Sequence, residues 1–229
     1  MSLYDRNYIE NEASNSYSQS ECLQSSRSEF IKKTYQFLAA SLLAATAGAY
    51  VGMSMGVGPS LWMLILEIGL LVGLMFAKKN PTLAVVLLFA FTFVSGFTLA
   101  PTLNFYLAAG MGSVITQAFL LTTVAFGGLS IFAFNTKKDF SSMGKMLFIT
   151  LIVVLVAMII NIFMQSPMLQ IVIASVCAIL FSAYILYDTQ NIIRGNYDSP
   201  ILGAVALYLD IINLFVALLQ ILGIFNNND

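Results

Sequence analysis

The chain has 229 residues, of which 59% are hydrophobic and only 9% are charged. Soluble domains carry roughly 25% charged residues, so this composition predicts a protein that faces lipid over most of its length. A net charge of −1 gives no basis for nucleic-acid binding, and the lack of histidine excludes Ser-His-Asp catalysis, Cys-His catalysis and histidine-ligated metal sites.

Residues 1–28 differ in composition from the rest of the chain. They are rich in Ser, Asn, Gln, Tyr and Glu and have no apolar period, which predicts a disordered cytoplasmic tail. The sequence does not identify a protein partner for this tail. The first apolar run begins after Phe30 and is long enough to span a membrane, so a secretory signal is not expected.

Residues 29–226 are predicted to form one transmembrane domain of an all-α integral membrane protein. A bilayer core about 30 Å thick requires roughly 20 apolar helical residues. By this criterion there are seven spans, at about 31–54, 60–77, 81–100, 107–134, 146–165, 168–192 and 200–225. Four breaks place proline at a first helical position, in Gly58-Pro59, Asn80-Pro81, Ser166-Pro167 and Ser199-Pro200. Pro101 is expected to end the third span.

The basic residues predict the orientation of the spans. Every Lys or Arg after position 27 falls on the same side of the predicted membrane: Lys32, Lys33, Lys78, Lys79, Lys137, Lys138, Lys145 and Arg194. The positive-inside rule makes that side cytoplasmic, so the N-terminus is expected inside and the C-terminus outside. The short loops and the lack of a targeting signal favour the plasma (inner) membrane of a bacterium.

Three carboxylates fall within the predicted spans: Glu67, Asp188 and Asp210. At 1.5 Å per helical residue they lie about 16, 9 and 15 Å from the cytoplasmic face, so all three can face one bundle interior. An ionised aspartate at a helix centre costs roughly 2.5–3.5 kcal/mol, which favours a wet cavity, a partner or an ion path. The alternatives are one structural hydrogen bond for a protonated Asp210, a solvated position near the interface for Asp188, and no specific role for Glu67.

Two carboxyl groups held close together share a proton, because both cannot be ionised at small cost. A pair formed by Asp188 and Asp210 is therefore predicted to titrate as a unit. Ca²⁺ can replace the proton, since calcium takes oxygen ligands, and the two aspartates are its predicted metal ligands. Asn191 and Asn213 each lie three residues after one of the aspartates and are predicted supporting ligands.

Two motifs carry a resemblance to a known family: LYDTQNII at the end of span 6 and LYLDIINLFVALLQILG in span 7. With the seven spans, they are similar to the Bax inhibitor-1 family, also called the transmembrane Bax inhibitor motif family, over roughly residues 28–225. The resemblance implies that span 7 is central and surrounded by spans 1–6. It also implies a pH-sensitive calcium leak with Asp188 and Asp210 as the sensor, Glu67 along the ion path and Lys78 as a latch, where arginine is expected.

The predicted function is therefore a non-enzymatic, pH-sensitive calcium leak channel gated by protonation of the aspartate pair. It needs no cofactor, since calcium is the transported ion, and its expected partners are membrane lipid, Ca²⁺ and protons. A proton-coupled transporter is one alternative, although the sequence shows no inverted repeat or broken helices. An intramembrane aspartyl protease is another, but LYLD lacks flanking glycines and no Pro-Ala-Leu element follows Asp210.

Overall fold

The computed structural model describes residues 3–77 and 80–226, with side chains described from Leu23 onward. Within those ranges it contains α-helices and no strand, which confirms the predicted all-α class. A short 3-10 turn, Ser141–Met143, precedes the fifth helix. The helices are α1 (Leu3–Ser54), α2 (Leu61–Phe76), α3 (Pro81–Ala108), α4 (Gly112–Asn135), α5 (Gly144–Met164), α6 (Pro167–Arg194) and α7 (Pro200–Asn226).

Three of the predicted helix starts are confirmed in detail. In α3, α6 and α7 the first residue is proline, and the preceding side chain caps the helix. The first N–H groups of a helix have no intrahelical acceptor, so a side-chain oxygen at this position helps to determine where the helix begins. The cap oxygens accept from backbone N–H groups as follows: Asn80 from Leu83 at 3.2 Å, Ser166 from Leu169 at 3.3 Å and Ser199 from Leu202 at 3.3 Å.

Among the described residues, six helices are long and apolar enough to cross a membrane: α1 from Leu23 onward, and α3 to α7. The predicted second span, 60–77, is present as the apolar helix α2, which has only 16 residues and is about 24 Å long. Helix α2 is therefore shorter than the hydrocarbon core, and its role as a span stays a prediction. The chain is thus a multi-pass membrane protein.

The expectation that Pro101 ends the third span is wrong, because α3 continues through it to Ala108. Proline has no N–H, so the helix loses the hydrogen bond to the carbonyl of Phe97, four residues earlier. Ala100 is completely buried beside the proline, and a Cβ on Gly52 of α1 would lie 3.1 Å from the Phe97 oxygen. Packing against α1 therefore holds this helix together where the local rule predicts its end.

Helix α1 extends further toward the N-terminus than the sequence suggests. Residues 3–28, interpreted from composition as a disordered tail, continue the helix. Extending an existing helix is much easier than nucleating one, and polar residues do not prevent it. The side chains of residues 23–29 are exposed, so they add nothing to the core. The boundary between a tail and a transmembrane domain at residue 29 stays a prediction.

The most extensive helix pair is α1 with α3, and it depends on glycine. A Cβ on Gly48 of α1 would collide with the carbonyl of Phe93, and a Cβ on Gly96 of α3 would collide with the carbonyl of Ala45. Without side chains at these positions the two backbones approach each other directly. Small residues have the same role at helix interfaces throughout membrane proteins.

Helix α7 is the most buried of the apolar helices. In its most apolar window 61% of the residues are buried, against at most 39% in any other candidate span. It packs mainly against α6, α1 and α4, and less extensively against α3. Helix α2 packs on α3, and α5 packs on α6. Polar side chains on α7 are therefore largely screened from lipid.

Gly96→Ala is expected to destabilise the protein by about 1–3 kcal/mol, because the added methyl group forces α1 and α3 apart. Thermal unfolding in detergent measures this change. The matched control is Gly69→Ala on α2, where a Cβ would have no atom within 4 Å, so the unfolding temperature should be unchanged or slightly higher. A Gly96→Ala variant as stable as the unmodified protein would contradict the close approach of the two helices.

Candidate functional site

One end of the helix bundle collects basic residues, and we call it the basic end. There the α4–α5 loop lies on the last turns of α6, since the Gln190 amide donates to the carbonyl of Lys138 at 2.7 Å and accepts from the N–H of Phe140 at 2.9 Å. Gly203, in the first turn of α7, packs against Thr34 of α1. The described residues at this end include Lys32, Lys33, Lys137, Lys138, Lys145 and Arg194. Lys78 and Lys79, and with them the predicted latch, lie outside the described residues.

Asp188 of α6 and Asp210 of α7 face each other close to the basic end. Their carboxyl groups are neighbours that interact electrostatically. Both residues are buried, with 6% and 4% of their surface exposed. Two neighbouring carboxyl groups removed from water cannot both be ionised at small cost.

A five-residue loop, residues 195–199, sets the register of the pair. Gly195 ends α6 with a φ of 72°, a left-handed conformation that glycine adopts without steric cost. The N–H of Asn196 then bonds to the carbonyl of Asn191 at 2.9 Å, which closes the helix end. A connection this short makes α6 and α7 an antiparallel hairpin, so positions near the end of one helix come level with positions near the start of the next.

Tyr197, in the same loop, completes the surroundings of Asp188. Its hydroxyl donates a hydrogen bond to Oδ1 of Asp188 at 2.7 Å. Burial and the neighbouring charge of Asp188 raise the pKa of Tyr197, so the phenol stays protonated and remains a donor. Sequence reasoning missed this residue. The available signal was the loop length, because a loop of five residues holds its central side chain directly over the helix ends it joins.

The two predicted amide ligands are placed differently. Asn191 lies beside Asp188, and its side-chain oxygen accepts from Asn196 Nδ2 at 3.0 Å. Asn213 instead donates to the carbonyl of Leu209 in its own helix at 2.7 Å. Only Asn191 is therefore brought next to its aspartate.

Asp210 has fewer partners than Asp188. Its Oδ2 is buried without a hydrogen-bond partner. No group of three or more His, Cys, Asp or Glu side chains suited to a metal occurs among the described residues. Ca²⁺ takes six to eight oxygen ligands, so the pair by itself is an incomplete calcium site.

Glu67 lies apart from the pair. It accepts a hydrogen bond from Thr98 of α3 at 2.8 Å and lies near Tyr208 of α7. Tyr208 and Asp210 are two positions apart, which is about 200° around a helix, so they point to nearly opposite faces of α7. The structure thus brings two of the three predicted carboxylates together and leaves Glu67 on a different face.

An ion pair fastens the α4–α5 loop to the end of α6. Oδ1 of Asp139 accepts from the backbone N–H of Ser141 at 2.8 Å and from Arg194 at 2.5 Å. The hydrogen bonds from Ser141, followed by the bond and charge of Arg194, lower the pKa of Asp139 to about 2. With the amide of Gln190, this contact holds the loop beside the last turns of α6.

Comparison with known proteins confirms the family resemblance predicted from the sequence. The family described as "Inhibitor of apoptosis-promoting Bax1" matches residues 27–227. The chain belongs to the Bax inhibitor family. This family member is 56% identical to a protein of Campylobacter jejuni, with 99% of this chain and 100% of the relative covered. It is 38% identical to "Modulator of FtsH protease YccA" of Escherichia coli (84% and 89% covered) and 34% identical to "Bax inhibitor 1" of Schizosaccharomyces pombe (91% and 81% covered).

Tyr197→Phe removes the hydroxyl that bonds to Asp188 and leaves the ring in place. A hydrogen bond to a charged group contributes about 1.5–3 kcal/mol, so this Bax inhibitor family protein is expected to lose stability in that range. Thermal unfolding in detergent checks it, with Tyr50→Phe as control, because Tyr50 is 70% exposed. Equal unfolding temperatures for the two variants would contradict the contact.

The lowered pKa of Asp139 predicts that the α4–α5 loop loses contacts in acid. Its pKa in the folded protein, about 2, lies below the ordinary value, so its stabilising contacts are fully present above about pH 4 and are lost as the pH falls toward 2. The protection factors of the loop amides, which are their exchange rates corrected for the intrinsic pH dependence of exchange, should therefore fall over that range. In Asp139→Asn the protection factors should already be low at pH 5 and change little on acidification. An acid response as large as that of the unmodified chain would exclude Asp139 as its source.

Proposed function

We propose that this protein is a pH-sensitive calcium leak channel whose gate is the pair formed by Asp188 and Asp210. The observation that supports the proposal is the contact between two buried carboxyl groups at the basic end of the bundle. Carboxylates inside a membrane protein are costly unless a partner or an ion path compensates them. Here each carboxyl group is the other's partner, and the partnership depends on one proton.

The surroundings of the two groups differ, which indicates where that proton resides. Asp188 receives a hydrogen bond from Tyr197 and has the Asn191 amide beside it, and donors of this kind stabilise a carboxylate. Asp210 has no partner at Oδ2 and contacts Asp188 through its carboxyl group. In the closed state Asp210 is therefore the protonated member and donates to Asp188.

Loss of the shared proton opens the gate in this proposal. Two negative charges in contact repel each other strongly in a buried environment, so α6 and α7 separate at the basic end. The separated carboxylates then attract Ca²⁺, and water or backbone carbonyl oxygens complete its shell as it passes. Glu67, held by Thr98 on another face of α7, is a second acidic group for an ion that enters from the opposite side.

The proposed topology follows from the charges. The basic end is cytoplasmic under the positive-inside rule, which puts the N-terminus inside and the C-terminus outside with α2 counted as a span. Burial of α7 supports a central position for this helix, with the other six around it. A relative in Escherichia coli carries the name "Inner membrane protein YccA", which supports an inner-membrane location for this chain. Lys78 remains the proposed latch.

Calcium flux into proteoliposomes, measured with a trapped indicator between pH 6 and pH 8, tests the proposal. Flux through the unmodified protein should rise with pH as the pair loses its proton. Asp210→Asn keeps a neutral hydrogen-bond donor beside Asp188, so the gate should stay closed and flux should fall at least about tenfold at high pH.

The matched control is Asn213→Ala, one turn further along α7, whose side chain bonds only to the Leu209 carbonyl among the contacts described above. Its flux should follow that of the unmodified protein. Asp210→Asn flux that matches the unmodified protein at every pH would exclude the pair as the gate.

A second candidate function rests on a relative. The 38% identical protein of Escherichia coli is named a modulator of the FtsH protease, which suggests binding to a membrane protease here as well. The flux measurement separates the two candidates. A well-folded protein that passes no Ca²⁺ at any pH would favour the modulator role over the channel.

A further inference from the structure

Three amide side chains form a hydrogen-bonded chain across α5, α6 and α7 at the end of the bundle opposite the basic end, which we call the far end. Asn161 of α5 donates from Nδ2 to Oε1 of Gln170 on α6 at 2.8 Å. Gln170 in turn donates from Nε2 to Oε1 of Gln220 on α7, also at 2.8 Å. Bonds of this kind hold helices together in a membrane, where lipid does not drive their association.

The turn between α5 and α6 is fixed by the same amide chain. Only Gln165 and Ser166 separate the two helices. Oδ1 of Asn161 accepts from the backbone N–H of Ser166 at 3.1 Å, and the Ser166 hydroxyl caps α6. Because Gln170 lies in the first turn of α6, its bond to Gln220 joins α7 to this closed corner.

A second contact fixes the same turn of α7. Gly223 lies under the ring of Tyr106 from α3, and a Cβ on this glycine would be 2.3 Å from a ring carbon. Tyr106 is itself buried. Since Gly223 follows Gln220 by three residues, α6 and α3 both hold one turn of α7 at the far end.

Near the basic end, α7 is packed less closely on its neighbours. A Cβ on Gly203, in the first turn of α7, would lie 3.1 Å from a side-chain carbon of Ile192 and 3.2 Å from one of Thr34, so small side-chain shifts would accommodate it. Between this turn and the far end, Oδ2 of Asp210 is buried without a hydrogen-bond partner. The firmest attachment of α7 to its neighbours is therefore at the far end.

We propose that the amide chain is a pivot: it fixes the far ends of α5, α6 and α7, and α7 moves relative to α6 by tilting about Gln220. The need for such a movement rests on the proposed function, in which the aspartates part at the basic end. Asn and Gln side chains carry no titratable proton, so the amide chain keeps its bonds when acidity changes. Asp210 is about 15 Å and Pro200 about 30 Å along α7 from Gln220, so the start of α7 moves about twice as far as the aspartate.

Distances between spin labels, measured by double electron–electron resonance, test the pivot. The full-length protein with Cys22→Ser and Cys177→Ala is labelled through cysteines at two pairs of positions. Lys145 and Leu202 report on the basic end, and the exposed Phe163 and Phe225 report on the far end. Parting of the carboxyl groups by about 1 Å is enough to break their contact, so the first distance should change by about 2 Å between pH 6 and pH 8, and the second should stay constant.

Variants of the amide chain supply a test that needs no movement. Gln220→Met removes the amide and keeps the side-chain length, so the distribution of Phe163–Phe225 distances should broaden about twofold at every pH. Gln170→Met breaks both bonds of the chain and replaces the first variant if that one does not fold. The matched control is Asn213→Ala, because the Asn213 amide bonds to a carbonyl of its own helix. Its distance distribution should equal that of the unmodified protein.

Two results would overturn the pivot: a far-end distance that shifts with pH as much as the basic-end distance, or glutamine variants with the narrow distribution of the control. The proposed function fails separately. A basic end that does not move with pH would contradict the gating motion, and broadening in the glutamine variants would still show that the amide chain fixes the helix ends. Flux that depends on pH in a protein without a fixed far end would leave the channel and remove the pivot.

Discussion

A carboxyl group removed from water needs a partner, and in the proposed pair α6 and α7 each provide that partner for the other. The arrangement around Asp188 and Asp210 follows from this need. Burial of α7 removes both groups from lipid, and the loop at residues 195–199 holds the two helices in register. Tyr197 then closes the remaining side of Asp188. A change that separates the two aspartates affects the most buried interface of the bundle.

The helices are held together in two distinct ways. Helices α1 and α3 meet at Gly48 and Gly96, where the backbone of one helix packs directly on the backbone of the other. A side chain at either glycine would collide with a backbone carbonyl of the facing helix. Helices α6 and α7 bring the buried carboxyl groups of Asp188 and Asp210 together. Lipid does not drive helix association by the hydrophobic effect, so close packing and hydrogen bonds do so instead. One part of the bundle is thus held by close backbone packing, and the other contains the carboxyl pair.

Features set by neighbouring residues were predictable from the sequence. Asn80, Ser166 and Ser199 cap their helices next to proline, as local chemistry requires. The two aspartates were identifiable because charge inside a membrane is costly. The prediction that the third span ends at Pro101 was wrong, because packing of α3 against α1 overrides the local helix-breaking effect of proline.

Features that depend on rotation about a helix axis were not predictable. Counting residues gives the depth of Glu67 but not the direction in which it points, and that direction places it near Tyr208 and away from the pair. Asn191 and Asn213 have the same spacing from their aspartates, yet only Asn191 reaches its carboxylate. Tyr197 was not predicted for a related reason, because its hydrogen bond to Asp188 depends on how the loop folds over the end of α6.

The two hydrogen bonds between Gln190 and the loop backbone have a mechanical consequence. They join α6 to the segment that leads into α5, and Gln190 lies only two residues beyond Asp188. Any rotation of α6 that swings Asp188 away from its neighbour must therefore carry that segment with it. Since α5 also packs along α6, the two helices move as one body, and the lipid-facing surface of α5 shifts whenever the acidic groups part. In the proposed channel, bilayer thickness and lateral pressure therefore act on the same helix displacement as loss of the shared proton.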